Sequence, residues 1–231
     1  MFFPFFDPSM LIVLPGLLLA MYAQFMVHAT FNRYARVYSQ RGITGAQAAR
    51  QILDSQGLNY VPVEMIDGQL TDHYDPRDKV LRLSPEVYRG SSLASLGVAA
   101  HEAGHALQHA KGYYPLNLRN SLVPVANFGS TLAFPLFIIG LFISPALVKL
   151  GLWLFAAVLV FQVVTLPVEF NASNRAVALL EGQSFIGGSE VAGTRKVLNA
   201  AALTYVAAVL VSLLQLVRLL LISGLLGNRD E

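Results

Sequence analysis

The chain has 231 residues, of which 55% are hydrophobic and 13% are charged, and its mean hydropathy is +0.53. This composition excludes an ordinary soluble domain and predicts segments that cross a membrane. The net charge of +2 at pH 7 is too small to favour nucleic-acid binding, and the lack of cysteine excludes disulfide bonds and thiolate ligands to a metal.

Four stretches are apolar and long enough to cross a membrane, since a helical span needs about 20 residues. They are predicted at residues 10–30, 122–143, 146–168 and 200–223. Only Ser144 and Pro145 separate the second stretch from the third, so these two are expected to form an antiparallel hairpin. Four prolines either kink the span helices or mark their ends: Pro15, Pro124, Pro135 and Pro167.

The first stretch is predicted to be a retained membrane anchor and not a secretory signal. The nine residues before it contain Asp7 and no Lys or Arg, and no convincing cleavage site follows it. Arg33, Arg36 and Arg41 come directly after it, so the positive-inside rule places the N-terminus outside and the next segment in the cytoplasm. A multi-pass protein of the cell membrane, the inner or plasma membrane, is therefore expected.

The segment after the first span begins with an amphipathic helix, predicted over residues 45–56 and ended by Gly57. The apolar positions of this helix lie on one face: Ala46, Ala49, Ile52 and Leu53. Short strands are predicted at 61–66 and 79–83, around a loop at 72–76 that is rich in Asp, His and Pro. The second strand either binds an extended peptide as an edge strand or only packs beneath the following helix.

The most informative motif is formed by His101, Glu102 and His105 in an apolar run at 98–108. Histidines four residues apart lie on one face of a helix, about 6 Å apart along its axis, so both can bind one metal ion. This is the H-E-x-x-H pattern, in which two imidazoles hold Zn²⁺ and the glutamate deprotonates a water that the metal activates.

The helix around this motif is predicted to begin after Ser91 or Ser92 and to end near Gly112. Its other residues are mostly apolar, which indicates a largely buried helix. Buried His and Glu side chains need partners, and a bound metal ion supplies one. The alternative is a surface helix that carries an acid and two histidines.

Zinc hydrolases usually have three protein ligands and leave one position for water. A third histidine six residues after the second is excluded, because Lys111 is at that position. His109 lies about 12 Å from His101 along the helix axis, too far to share one ion. Glu169 is the better candidate, because two crossings separate it from His105 and return the chain to the same membrane face. The alternative is a helix-end glutamate at the level of the lipid headgroups.

The residues after the third span resemble a known motif. Glu169-Phe170-Asn171-Ala172-Ser173 is similar to the Glu-Phe/Tyr-x-Ala-Asp motif of integral-membrane gluzincins, the group that contains the CAAX prenyl proteases and bacterial heat-shock membrane proteases. The chain is more closely similar to a bacterial membrane family known as neutral zinc metallopeptidases. The blocks that carry this resemblance are 70–76, 80–84, 98–108 and 200–206.

The resemblance implies the roles of four residues and the cofactor. His101, His105 and Glu169 are implied as the ligands of one Zn²⁺, and Glu102 as the catalytic base. Where the gluzincins have an aspartate that would orient a zinc-binding histidine, this chain has Ser173.

Three residues are candidates to replace that aspartate, and four are candidates to stabilise the oxyanion that develops on the substrate carbonyl. The first set is Ser173, Asn171 and Asp72. The second set is His73, Tyr74, Arg175 and Tyr205. Simpler readings are an interfacial anchor for Arg175 and a solvated loop position for His73.

The expected fold is mainly α-helical and integral to the membrane, with four transmembrane helices and a small α+β, zincin-like cytoplasmic portion. Five segments are predicted: residues 1–31 as the anchor helix, 32–120 as the cytoplasmic zincin-like segment with the zinc-motif helix, 121–168 as the transmembrane hairpin, 169–199 as the third-ligand helix with a cytoplasmic segment, and 200–231 as the fourth span and tail.

The leading hypothesis is a zinc-dependent metalloendopeptidase that acts at the cytoplasmic membrane surface on peptides or on membrane-associated or misfolded proteins. Its expected partners are such a substrate and the lipid bilayer, with no nucleic acid. One alternative is a site-2-type intramembrane protease, whose histidine pair would lie inside a span. Another is a zinc-binding membrane chaperone or scaffold without catalysis, for which Ser173 leaves room.

Overall fold

The computed structural model describes residues 8–224, which are mainly helical with one small sheet. The elements in chain order are α1 (Met10–Tyr34), α2 (Gly45–Ser55), β1 (Val63–Met65), β2 (His73–Asp75), β3 (Val80–Leu83), α3 (Pro85–Arg89), α4 (Leu93–Ala110), α5 (Tyr114–Ile143), α6 (Pro145–Gly182) and α7 (Ser189–Ile222). Four of these helices, α1, α5, α6 and α7, are long and apolar enough to cross a membrane. The predicted number of candidate spans is therefore confirmed.

The long helices extend beyond the apolar stretches that predicted them. Helix α6 continues without a break from its apolar part into the polar segment around Glu169, and α7 begins before its apolar part. A hydropathy pattern reports where residues are apolar, not where a helix ends. All four prolines lie inside helices and mark no helix end: Pro15, Pro124, Pro135 and Pro167.

The described chain forms two compact units. The helical unit consists of residues 8–24, 118–166 and 204–224, and the sheet unit consists of residues 25–117 and 167–203. The four long helices contribute residues to both units.

Helices α5 and α6 of the helical unit form the predicted hairpin, with only Ser144 between them. Glycines let their backbones approach closely. Gly140 lies against the backbone of Val148, and Gly151 lies against Phe137 on the opposite helix. Small residues at such contacts are typical of helices that pack within a membrane.

The sheet of the sheet unit has the strand order β1-β3-β2, with β1 parallel and β2 antiparallel to β3. The strands predicted at 61–66 and 79–83 are observed as β1 and β3. The prediction of a loop at 72–76 is wrong, because residues 73–75 pair with β3 as the strand β2. The edge-strand hypothesis for 79–83 is also wrong, since β3 is central and has a partner on each side.

Local capping explains where two helices of the sheet unit begin. Thr44 and Gln47 form a reciprocal capping box at the start of α2. Ser92, one of the two predicted caps, accepts a hydrogen bond from the Ser95 backbone N–H at 3.1 Å and begins α4. Most of α4 is buried in the core of this unit, as its apolar sequence predicts. The motif histidines are therefore held on a rigid element.

Candidate metal centre

Three side chains that offer metal ligands meet in the sheet unit. His101 and His105 lie one turn apart on α4, and Glu169 lies on α6. The Nε2 atoms of the two histidines are 3.1 Å apart. The Glu169 Oε2 atom is 3.3 Å from Nε2 of His101 and 3.6 Å from Nε2 of His105. The structure thus brings together the motif histidines and the glutamate predicted as the third ligand.

The spacing of these three atoms fits a zinc ion. Ligand atoms arranged tetrahedrally at about 2.0–2.1 Å from Zn²⁺ are about 3.3 Å from one another. The observed distances of 3.1, 3.3 and 3.6 Å bracket that value. Two imidazole nitrogens and one carboxylate are also the donor set of a type of catalytic zinc site whose fourth position holds water or substrate. The group could therefore hold a metal ion, and its donors suit Zn²⁺.

Helices α4 and α6 approach each other closely beside the three ligands. Gly104 lies against the backbone of α6, where a Cβ atom would be 2.9 Å from the Ala172 carbonyl oxygen. Ala103 on α4 and Ala176 on α6 are also buried. These small residues let the short side chain of Glu169 reach both imidazoles.

The imidazole of His101 is oriented by Ser173. The Ser173 hydroxyl lies 3.1 Å from His101 Nδ1. A histidine that binds a metal through Nε2 carries its proton on Nδ1, so with a metal bound His101 would donate that proton to the serine oxygen. Ser173 is thus the residue in hydrogen-bond contact with His101, among the three candidates to replace the gluzincin aspartate.

The imidazole of His105 is oriented by Gln108, which is fully buried. Its Oε1 atom lies 3.0 Å from His105 Nδ1. Its amide Nε2 donates to the Val168 carbonyl at 2.8 Å and to Asn171 Oδ1 at 3.0 Å. These two acceptors fix the orientation of the amide, so Oε1 must face the histidine.

No role for Gln108 was predicted from the sequence. The signal that could have found it is its position three residues after His105, on the same helix face, in a helix that is mostly apolar and buried. A polar amide buried there needs partners, and the ring nitrogen that does not face the metal position is within reach.

Arg175 extends this network away from the ligands. Its Nε donates to Asn171 Oδ1 at 2.6 Å, and its guanidinium lies 6.0 Å from the centroid of the Tyr113 ring. Asn171 therefore accepts hydrogen bonds from both Gln108 and Arg175. The observed contacts of Arg175 support the histidine network, and its role as an oxyanion donor stays a prediction.

Glu102, the predicted base, is held by the sheet. It is buried, and its Oε2 accepts a hydrogen bond from the Tyr74 backbone N–H at 3.0 Å. Because β2 is an edge strand, one side of its backbone is free for such a contact. Burial raises the pKa of the Glu102 carboxyl, and the nearby His101 and His105 oppose that shift. A raised pKa makes a carboxylate a stronger base.

The charges around His105 favour a cation at this position. Burial lowers the pKa of the His105 imidazole, but the hydrogen bond to Glu169 and the charge of Glu102 outweigh burial, so the pKa is raised. The same two carboxylates would stabilise positive charge brought by a metal ion.

Tyr74 and His109 form a pair next to Glu102. The Tyr74 hydroxyl lies 2.9 Å from Nδ1 of His109, and their rings are tilted with centroids 5.8 Å apart. Burial raises the pKa of Tyr74 to about 12, so its hydroxyl stays protonated at neutral pH. His109 is not part of the ligand group, in agreement with its distance along the helix.

Three other residues are predicted for the site: Asp72, His73 and Tyr205. Asp72 accepts hydrogen bonds from the backbone N–H and the hydroxyl of Ser84, while burial raises its pKa. The Nδ1 atom of His73 lies 2.7 Å from the Thr71 carbonyl oxygen. Tyr205 lies on α7 in the helical unit. Their roles in the reaction stay predictions.

Comparison with known proteins extends over nearly the whole chain. The family described as "Putative neutral zinc metallopeptidase" matches residues 9–224. One curated relative, "Putative membrane protease YugP" of Bacillus subtilis (strain 168), is 51% identical over 214 residues, which cover 92% of this chain and 94% of the relative. No solved structure gives a significant match. The matched region includes both helices that carry the ligand group.

Proposed function

Because the chain belongs to the family described as "Putative neutral zinc metallopeptidase", we propose that it is a zinc-dependent metalloendopeptidase of the cell membrane. His101, His105 and Glu169 would hold one Zn²⁺, and Glu102 would act as the general base. The observation that carries this proposal is the near-tetrahedral spacing of the three ligand atoms, with a buried carboxylate in the same turn of α4.

Each protein group has a separate part in the proposed reaction. Zinc, when bound, supplies a Lewis acid that polarises the scissile carbonyl and makes water easier to deprotonate. Glu102 accepts a proton from water as the oxygen bonds to the carbonyl carbon, and it gives a proton to the amine nitrogen as the carbon–nitrogen bond breaks. The Tyr74 N–H holds Oε2 of Glu102, which leaves Oε1 for the proton. Ser173 and Gln108 keep the imidazoles in place.

The proposed position of this chemistry is the cytoplasmic surface of the membrane. Arg33, Arg36 and Arg41 follow the first candidate span, which favours the cytoplasm for the sheet unit. Helix α4 is not among the candidate spans of the described chain. That finding argues against a site-2-type enzyme, which would carry its histidine pair inside a span. Proposed substrates are peptides and membrane-associated or misfolded proteins.

The test measures zinc and proteolysis on the same preparations. Purified protein in detergent is assayed for zinc by mass spectrometry and for cleavage of unstructured casein, with and without a zinc chelator. The variant Glu102→Gln should keep its zinc and lose at least about 100-fold in kcat/KM, because it cannot accept the proton. Glu86→Gln, at an exposed position on α3, is the matched control and should cleave like the wild type.

Two results would contradict the proposal. Undiminished, chelator-sensitive cleavage by zinc-loaded Glu102→Gln would exclude Glu102 as the base. Wild-type protein that binds zinc but cleaves no substrate in a chelator-sensitive manner would favour the zinc-binding scaffold, in which the same ligands have only a structural role.

A further inference from the structure

A groove between α1 and α7 lies in the sheet unit, apart from the candidate metal centre. It encloses about 430 Å³. Met26, Ala29 and Arg33 line it from α1, and Lys196, Ala200 and Leu203 line it from α7. On each helix these residues are three or four positions apart, so each set occupies one helix face. The groove is thus lined by one stripe of residues from α1 and one from α7, and each stripe has a cation at one end.

Both cations lie at the same end of the groove. Tyr34, next to Arg33, packs its ring against Gly193, where a Cβ atom would be 2.9 Å from a ring carbon. Gly193 is one turn before Lys196 on α7. The last turn of α1 therefore adjoins the first turns of α7, and the apolar residues Met26 and Leu203 lie toward the other end.

No described acidic side chain forms an ion pair with either cation. The ion pairs of residues 8–224 involve neither Arg33 nor Lys196. Glu190, in the first turn of α7, uses its two carboxylate oxygens on the backbone N–H groups of Gln40 and Gly187. The Arg33 guanidinium lies 5.8 Å from the centroid of the Tyr34 ring, a contact that leaves its N–H donors available. Two positive charges thus face the groove without a protein counter-charge.

We propose that this groove binds one anionic phospholipid, with the phosphate between Arg33 and Lys196 and an acyl chain along Met26, Ala29 and Leu203. Both helices are candidate membrane spans, and the cations lie where the apolar part of each helix gives way to polar sequence. In a membrane this position would be at the depth of the lipid headgroups. The cations favour an anionic over a zwitterionic headgroup. The apolar floor favours a lipid over free phosphate. This site is independent of the proposed peptidase activity.

The first test compares lipid affinities by native mass spectrometry of the full chain titrated with phosphatidylglycerol or phosphatidylcholine. Wild-type protein should bind one phosphatidylglycerol in preference to phosphatidylcholine. The double variant Arg33→Gln/Lys196→Gln should bind phosphatidylglycerol about 30-fold more weakly, since each cation near a phosphate contributes about a fivefold factor. The matched control Arg36→Gln/Arg195→Gln removes two exposed cations from the same region that do not line the groove, and it should retain wild-type affinity.

A second variant separates lipid binding from simple anion binding. Ala29→Phe fills the apolar floor and keeps both cations, so it should lose phosphatidylglycerol. Inorganic phosphate at millimolar concentration should not displace the lipid from the wild type. Equal affinity of the wild type for the two lipids, unchanged affinity in the double variant, displacement by phosphate, or a protein dimer in place of the lipid complex would each overturn the proposal. If a variant fails to fold, the preference of the wild type between the two lipids still tests the proposal.

Discussion

At the scale of single residues, Gln108 shows how one amide can serve two helices. It accepts from His105 on its own helix and donates to Val168 and Asn171 on α6, so each of its polar atoms has a partner although it is fully buried. A glutamate would keep the acceptor but lose both donors, and an apolar residue would lose all three contacts, including the one to His105 Nδ1. An amide is thus the side chain that satisfies this position.

We expect Gln108→Met to weaken zinc binding about 10- to 100-fold, because His105 loses the partner that fixes its ring. Methionine has nearly the same side-chain volume as glutamine, so little packing is lost. The weaker zinc binding should therefore come from the lost hydrogen bond. Competition with a chromophoric zinc chelator measures the affinity. Gln51→Met, at an exposed position on α2, is the control and should bind zinc like the wild type. Equal affinities of Gln108→Met and the wild type would show that the hydrogen bond to His105 does not matter for metal binding.

At the scale of elements, the distance between α4 and α6 decides whether the ligands can meet. Gly104 packs directly against the backbone of α6 at Ala172. Gly104→Ala should push the helices apart, lower the free energy of unfolding by about 1–3 kcal/mol and weaken zinc binding. Thermal unfolding with and without zinc measures both effects.

The control for this substitution is Gly182→Ala at the end of α6, where a Cβ atom would meet nothing within 4 Å. This variant should unfold and bind zinc like the wild type. If Gly104→Ala behaves in the same way, the close contact between the helices is not needed to assemble the ligand group.

The spacing of apolar residues predicted the helices and strands of the sheet unit better than it predicted which strands pair with one another. The spacing of apolar residues gave α2, α4 and the strands β1 and β3, because these depend on which face of each element is buried. Strand β2 was predicted as a loop, because His73 and Asp75 have little preference for strands and the strand is stabilised by pairing with β3. The central place of β3 likewise depends on pairing partners that no local pattern reveals.

The ligand group was predictable to different degrees. His101 and His105 follow from the H-E-x-x-H pattern, whose spacing puts both histidines on one helix face. Glu169 followed from counting the spans between α4 and α6, together with a family resemblance. The contacts of Ser173 and Gln108 with the histidines depend on how α6 packs on α4, which is a property of tertiary structure.

At the scale of the whole molecule, the order of the spans makes this ligand group possible. His101 and Glu169 are 68 positions apart in the sequence and meet after the chain has passed through the hairpin of α5 and α6. In the proposed topology α5 and α6 make two crossings between these residues, which returns Glu169 to the membrane face of His101. Arg33, Arg36 and Arg41 favour the cytoplasm for the sheet unit, so the proposed topology has the turn at Ser144 outside.

The lack of cysteine in the chain allows a direct test of this topology. Single variants Asn59→Cys, at an exposed position in the sheet unit, and Ser144→Cys, in the turn between α5 and α6, are treated in intact cells with a membrane-impermeant maleimide. Ser144→Cys should react at once, whereas Asn59→Cys should react only after the membrane is permeabilised. The unsubstituted chain, which has no thiol, reports background labelling. Labelling in the reverse order would place the candidate metal centre outside the cell, and the positive-inside argument from Arg33, Arg36 and Arg41 would then be wrong.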